Sequence, residues 1–312
     1  IAKLCNPVGD VSLEIESGTY VENWDLSSIG NIMGNYMLTI TSAAHDADSV
    51  VVKPASGVAL KLGNNKNLTI KDITFDCSSI TAYTVQFTSG CEDVIIRDCK
   101  ILSSTTTTSS TSTAIYKTSS TGILKNVQFI NNYISGGYYG FYLYGGTGTA
   151  AFSQDLVIDS NILIDQYYYA TYFYYNHFKS CSYNKIYSRT ANTSTYWYGL
   201  RSYYGEFDIA NANSIIQRST AITYPYGIYA YYTNDPRYGN QPTTGALFTN
   251  NEVNLYTTST YYGAYFYYST INFYNNSILM RGTAAARGMY LGNVANSYYD
   301  IQGNNIVTLS ST

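Results

Sequence analysis

The sequence predicts an all-β solenoid, a single-domain parallel β-helix of roughly ten coils. Three observations carry this reading. A five-residue phrase returns nine times along the chain, a second phrase built around an asparagine follows it at a fairly steady remove, and no stretch shows helical periodicity.

The first phrase reads GFYLY at Gly140, ATYFY at Ala170, GLRSY at Gly199, GIYAY at Gly227, GAYFY at Gly263 and GMYLG at Gly288, with fainter copies at Ala59, Thr84 and Ala114. Successive starts lie 25, 30, 26, 30, 29, 28, 36 and 25 residues apart, a solenoid period. Its second and fourth residues are mostly apolar, for example Phe141 and Leu143 or Ala264 and Phe266. Alternation by twos marks a strand with one buried face, so the third residue points outward.

The second phrase has the form apolar-x-apolar-x-x-Asn-x-apolar: Val127, Phe129, Asn132, Ile134; Leu156, Ile158, Asn161, Leu163; Ile271, Phe273, Asn276, Ile278. The asparagine slot recurs at Asn184, Asn213, Asn251 and Asn305, and Ile73 and Cys99 fill it in the earliest copies. Around Asn213 and Asn305 the apolar residues fall one place out of register, which predicts bulges. A unit this short cannot close a core alone and must stack on copies of itself, one coil per ~4.8 Å. Stacked asparagine amides then donate and accept along a column at a bend. A four-stranded propeller blade needs roughly 40 residues or more, which these spacings do not supply.

Residues 1–57 carry less regular strands and are predicted as lead-in coils; residues 58–312 form the regular Tyr- and Asn-rich repeats of one continuous solenoid. The tract STTTTSSTST at Ser104–Thr113 and the segment Tyr232–Gly245 are predicted to project as loops that bury nothing. The chain begins without Met and NNIVTLSST stops inside a repeat phrase with no polar cap, so the expectation is a piece of a larger protein.

Charged residues make up 12% of the chain, 17 basic against 20 acidic, where about a quarter is usual. With no basic stripe, nucleic acid is not an expected partner. No apolar run of ~18 residues spans a bilayer. Five cysteines, an odd count without any C-x-x-C pair, argue against a disulfide framework, and Cys99 and Cys181 fall in inward slots. Two histidines, His45 and His177, do not suggest zinc.

The chain has 37 tyrosines. The third phrase position places Tyr116, Tyr142, Tyr172, Tyr229, Tyr265 and Tyr290 in one outward file, with Lys61, Gln86 and Arg201 in the remaining coils, and the fifth position adds Tyr144, Tyr174, Tyr203, Tyr231 and Tyr267. Such ladders stiffen a solenoid through cross-strand aromatic pairs. They also make a plate suited to a polysaccharide or a cell-surface protein.

The G-Φ-Y-Φ-Y and N-N-x-Φ phrases resemble right-handed parallel β-helix repeats of the pectate-lyase-like superfamily. The wording YYG-Φ-Y-Φ-Y, the lead-in SGTYVENWDLSSI and the stretch ADSVVVKPASGVALKLGNNKNLTIKDITFD more narrowly resemble large secreted or surface repeat proteins of Bacteroidota-type bacteria. The resemblance covers the whole chain. It implies a right-handed coil and an extracellular or cell-surface location. It leaves activity open, because the superfamily holds lyases, hydrolases, epimerases, trimeric phage tailspikes and adhesins.

An enzyme of that group would gather carboxylates, often with calcium and a basic proton acceptor, in an outward groove. The nearest approach is Lys71-Asp72 and Arg97-Asp98 in adjacent coils, with Glu92 and Asp93 just before the second pair. Stacking sets Asp72 and Asp98 about 5 Å apart, close enough to share calcium. The same register makes an ordinary charge lattice of these four residues. His177 and Cys181 raise a thiol pair, set aside because Cys181 takes an inward slot. The favoured expectation is a non-catalytic, rigid adhesive module without a cofactor; a polysaccharide lyase or hydrolase and a tailspike-type trimer are the alternatives.

Overall fold

The computed structural model describes residues 8–31, 33–118, 122–146, 152–237, 244–283, 286–293 and 297–310; Cys5 and part of the predicted Tyr232–Gly245 loop lie outside them. Every regular element among these residues is a β-strand. The first coil comprises β1 (Val11–Ile15), β2 (Gly18–Tyr20) and β3 (Trp24–Asp25); later coils add strands to the same three faces, the last described coil to the first and second faces alone. All pairings are parallel, so like residues of successive coils stack.

The second face is an 11-stranded sheet ending at β33 (Asn305–Ser310), and the third is a 10-stranded sheet ending at β31 (Arg287–Gly292). The first face runs through eight strands to β22 (Glu206–Phe207), breaks at Asp208, and resumes as a four-stranded sheet from β23 (Ile209–Asn211) to β32 (Tyr298–Gln302). The break is the bulge predicted near Asn213. It begins one coil earlier, where β19 (Asn176–Ser182) shifts register on either side of the Leu156↔Phe178 pair. Phe178 and Phe207 stand six residues before their asparagines, whereas Leu156 and Ile271 stand five. The extra residue lets a large ring stay inside.

The interior is a single apolar column. Val127, Phe129, Ile134, Leu156, Ile158, Leu163, Ile271, Phe273 and Ile278 are all buried, as are Phe141, Leu143, Ala264 and Phe266 of the first phrase. Phenylalanines follow one another inside, with Phe178 and Phe207 stacked at 4.8 Å. The cysteines among the described residues, Cys77, Cys91, Cys99 and Cys181, are free and buried; burial pushes the Cys99 thiol up to about 12, as expected of small hydrophobes. One inward fourth position holds a charge-bearing residue instead. Lys117 Nζ donates to the carbonyls of Thr118 (3.0 Å) and Tyr144 (2.9 Å), and burial lowers its pKa to about 8.

The asparagine slot sits at the bend between the first and second faces. Each Oδ1 accepts from both the backbone N–H and the side-chain amide of the preceding slot: Asn132 to Asn161 (3.0 and 3.0 Å), Asn184 to Asn213 (3.0 and 2.9 Å), Asn251 to Asn276 (2.8 and 2.9 Å). Each Nδ2 also donates to a carbonyl of the coil before, as Asn213 does to Cys181 O at 2.8 Å. The slot of the last coil is Asn304, not Asn305: Asn276 N donates to Asn304 Oδ1 at 2.8 Å, and Asn305 pairs with Ser277 inside the strand. With Asn304 in the slot, Tyr299 and Ile301 fall into register and no bulge is required there.

Just before each slot the chain turns through the left-handed region. Asp72, Asp98, Asn131, Ser160, Tyr183, Ala212, Asn250 and Asn275 have φ between 54° and 60°, and Gly303 has φ 65°. Asn and Asp tolerate this region best, which explains their share of the column.

The two predicted loops are more embedded than expected. Thr105 and Thr108 project, but Ser104, Ser112 and Thr113 are buried, and Arg189 reaches across to donate to Thr107 O (3.3 Å) and Ser104 O (3.4 Å). In the other, Thr233, Asn234 and Asp235 are buried, with Asn234 Oδ1 accepting from Phe207 N at 2.8 Å. Short polar side chains that cap neighbouring backbone are compatible with burial, which composition alone does not reveal.

Candidate functional site: a tyrosine lattice on the third face

Parallel pairing brings the third-position residues into one column. Tyr116 pairs with Tyr142 and Tyr142 with Tyr172; beyond Arg201, Tyr229 pairs with Tyr265 and Tyr265 with Tyr290. Ring centroids lie 5.2 Å apart for Tyr116–Tyr142, 4.9 Å for Tyr142–Tyr172, 4.8 Å for Tyr229–Tyr265 and 4.9 Å for Tyr265–Tyr290. The fifth-position file is equally regular: Tyr144–Tyr174 4.5 Å, Tyr174–Tyr203 5.3 Å, Tyr203–Tyr231 4.4 Å and Tyr231–Tyr267 5.0 Å. All these rings are half-buried on the outer side, over the buried second and fourth residues.

Two further columns flank them, which sequence reading did not anticipate. Tyr139, Tyr169, Tyr198 and Tyr226 stand immediately before the phrase and stack at 5.2, 4.8 and 4.8 Å. Tyr175, Tyr204, Tyr232 and Tyr268 follow it and stack at 5.0, 4.7 and 4.8 Å. The first set also meets the third-position rings edge to face, for instance Tyr226 on Tyr229 at 5.1 Å and 86°. The second set is held in the left-handed region, φ 49° to 54°, at about 1–2 kcal/mol per residue. Ring stacking worth about 0.5–1.5 kcal/mol per pair offsets that strain.

This packing changes what the plate offers. Rings stacked along the column cover one another's faces, so the surface consists of phenol edges and hydroxyls in rows rather than open ring faces. Burial among neighbouring rings pushes the Tyr142 hydroxyl up to about 12, and Tyr229 and Tyr265 higher still. These three phenols are therefore neutral at ordinary pH and act as both donors and acceptors.

The acidic candidates lie elsewhere, at the bend between the first and second faces. Asp72 and Asp98 are consecutive members of the left-handed turn column, and Lys71 and Arg97 are register partners. Asp72 Oδ2 accepts from Thr41 Oγ1 at 3.1 Å and faces Lys71 Nζ at 3.5 Å and His45 Nδ1 at 3.7 Å. Asp98 accepts from Arg97 Nε and Asn131 Nδ2, both at 2.6 Å. Partial burial raises the Asp98 carboxyl, but the hydrogen bonds from Asn131 and Arg97 outweigh it, and the net direction is down. These carboxylates are engaged as turn and lattice groups. Glu92 is likewise clasped by Lys66 (2.5 Å) and Lys125 (2.9 Å) and lowered to about 2 by those two hydrogen bonds. Among the described residues no three His, Cys, Asp or Glu side chains converge as a metal would require. His177 faces Asp155 (3.4 Å) and Asp208 (3.2 Å) on the outside while Cys181 is buried, so the two do not form a pair.

No protein-family model and no curated protein matches this chain. Three solved structures are similar in extent. The A-module of a mannuronan C-5 epimerase from Azotobacter vinelandii is 11% identical over 97% of this chain and 91% of that one, with a TM-score of 0.35. PfbA, a surface adhesin of Streptococcus pneumoniae, is 12% identical over 95% and 85%, with a TM-score of 0.39. The Agl-KA catalytic domain is 11% identical over 96% and 62%, with a TM-score of 0.34. What this chain does is therefore to be read from its own side chains.

Proposed function

We propose that this protein is a rigid, non-catalytic extracellular β-solenoid that holds polysaccharide chains on its tyrosine lattice. The observation that carries this reading is the repeat of the lattice. Phenol rings recur with centroids 4.4–5.3 Å apart from coil to coil in the third- and fifth-position columns. That rise is close to the length of one pyranose unit in an extended glycan, so one sugar per coil can meet the same pair of phenols repeatedly. Among the described residues no hydrogen bond contributes to the environment of the Tyr142, Tyr229 and Tyr265 hydroxyls, which leaves them for sugar hydroxyls. Weak contacts multiplied along a polymer give avidity without a deep pocket. A non-catalytic role is supported by Asp98, whose lowered pKa and two short hydrogen bonds make it neither a proton donor nor a free base.

The test is binding to a panel of soluble polysaccharides by the wild type and by the combined Tyr142, Tyr172, Tyr229 and Tyr265→Ser variant. The variant should lose binding about a hundredfold or more while circular dichroism stays all-β. Undiminished binding by the folded variant would refute the lattice as the site. Appearance of near-ultraviolet absorbance from unsaturated sugars, abolished by Asp72→Ala with Asp98→Ala, would refute the non-catalytic assignment.

A further inference from the structure

The third-position column is interrupted once in its interior. Between Tyr172 and Tyr229 it carries Arg201, whose guanidinium carbon lies 4.3 Å from the ring centre of Tyr172. The rings of Tyr169, Tyr198, Tyr203 and Tyr229 surround it at 5.2–5.7 Å. Five aromatic faces and edges thus hold one cation in the middle of a surface that otherwise presents phenols.

No carboxylate balances that charge. Among the described residues Arg201 belongs to no ion pair, whereas Arg97, Arg218 and Arg237 each have an aspartate. Among the described residues its Nη1 is buried without a hydrogen-bond partner. The side chain as a whole keeps partial exposure on the outer surface. Cation–π contacts of about 0.5–2 kcal/mol offset part of the loss of hydration, but a cation withdrawn from water without an anion remains costly. A tyrosine in this slot, as in the coils on either side, would continue the stack with no such deficit. The guanidinium therefore does something that stacking does not require.

We infer that Arg201 is a charge-reading subsite, where the carboxylate or sulfate of an acidic polysaccharide lying along the tyrosine lattice pairs with the guanidinium. The inference rests on the glycan reading above and narrows its ligand to an anionic chain. A planar guanidinium suits either oxyanion, because both present two oxygens to its paired N–H groups. The surrounding rings hold the fork in place, so little side-chain entropy is lost when the anion arrives. The lattice supplies affinity along the chain and the single arginine supplies the selection between neutral and acidic polymers.

The test uses the full chain with three probes: dextran, dextran sulfate, which shares its backbone, and polygalacturonate. Wild type should bind at least one of the two anionic polymers about tenfold more tightly than dextran, as one charge-assisted hydrogen-bonded pair implies. Which of the two it prefers separates sulfate from carboxylate as the group recognised. Arg201→Tyr, which completes the aromatic column, should remove that preference while binding dextran as before. Arg201→Gln serves the same purpose if the tyrosine variant is misfolded by circular dichroism, and Arg201→Lys should retain part of the preference. An unchanged preference in the folded Arg201→Tyr or Arg201→Gln variant would overturn the inference. Equal wild-type binding to all three polymers overturns it too but leaves the glycan reading intact. Binding to none of the three overturns both.

Discussion

Truncating one rung of the asparagine column, Asn213→Ala, should be far more damaging than the loss of a single polar side chain suggests. Asn213 is 1% exposed and takes part in four side-chain hydrogen bonds. It accepts from Asn184 N (3.0 Å) and Asn184 Nδ2 (2.9 Å), and donates to Asn251 Oδ1 (2.9 Å) and Cys181 O (2.8 Å). Two partners keep another bond: Asn184 Nδ2 still donates to Ile158 O at 2.7 Å, and Asn251 Oδ1 still accepts from the residue-213 backbone at 3.0 Å. The Asn184 N–H and the Cys181 carbonyl lose theirs. Two buried backbone groups left unpaired at about 1–3 kcal/mol each give a destabilisation of roughly 4 kcal/mol. Asn304→Ala, at the half-buried last rung where water can substitute, should cost about 1 kcal/mol or less. Urea unfolding followed by far-ultraviolet circular dichroism, with matched m-values, measures both. A cost below about 1 kcal/mol for Asn213→Ala, or a larger cost for Asn304→Ala, would refute the view that the column is a chain of obligatory partners.

Two further outcomes follow from the third face. Burial among neighbouring rings raises Tyr83, Tyr138 and Tyr142 to about 12, against about 10 for an unfolded phenol, so the folded state retains protons that the unfolded state releases. This contribution to stability is complete below about pH 10 and is lost as pH rises through about 12; spectrophotometric titration should show a late-ionising group of tyrosines released together with unfolding, and uniform titration near pH 10 with the fold intact would contradict it. Gly227→Ala would bring its methyl group against Val253 Cγ1 and to 2.6 Å from Gly263 O, and should destabilise by about 1–3 kcal/mol in a urea melt, partly relieved by Val253→Ala; a change within about 0.5 kcal/mol would contradict the close packing of phrase and second face.

The architecture was legible because its signals are periodic. Alternation within GFYLY or GAYFY, and the fixed offset to Asn132, Asn161 or Asn276, specify strand, face and bend without any tertiary knowledge. The outer tyrosine columns were not legible for a local reason. The first and second phrase residues both turn inward, as Gly140 and Phe141 do, so the period of two is broken and Tyr139 faces the same side as Tyr142. Tyr175 and its successors adopt a backbone region that tyrosine normally avoids, and only stacking on the next coil makes that tolerable. The choice between Asn304 and Asn305 turned on Gly303, which takes the left-handed place that Asn131, Asn250 and Asn275 fill in other N-N pairs. Lys117 at an inward position depends on two carbonyls whose reach the sequence does not disclose. For the acidic residues the spacing correctly put Asp72 and Asp98 in equivalent places of adjacent coils, but their engagement with Thr41, Asn131 and the neighbouring bases is a matter of side-chain geometry.

The column of left-handed tyrosines sets the unit in which such a protein can change length. Tyr204 is tolerable only because Tyr175 lies beneath it and Tyr232 above, and the same mutual dependence holds for each asparagine rung. Removing part of a coil would displace every ladder at once, whereas duplicating or deleting a whole coil leaves each junction as it was. Growth by entire turns is the route the chemistry leaves open, and it would make the span of surface a matter of copy number.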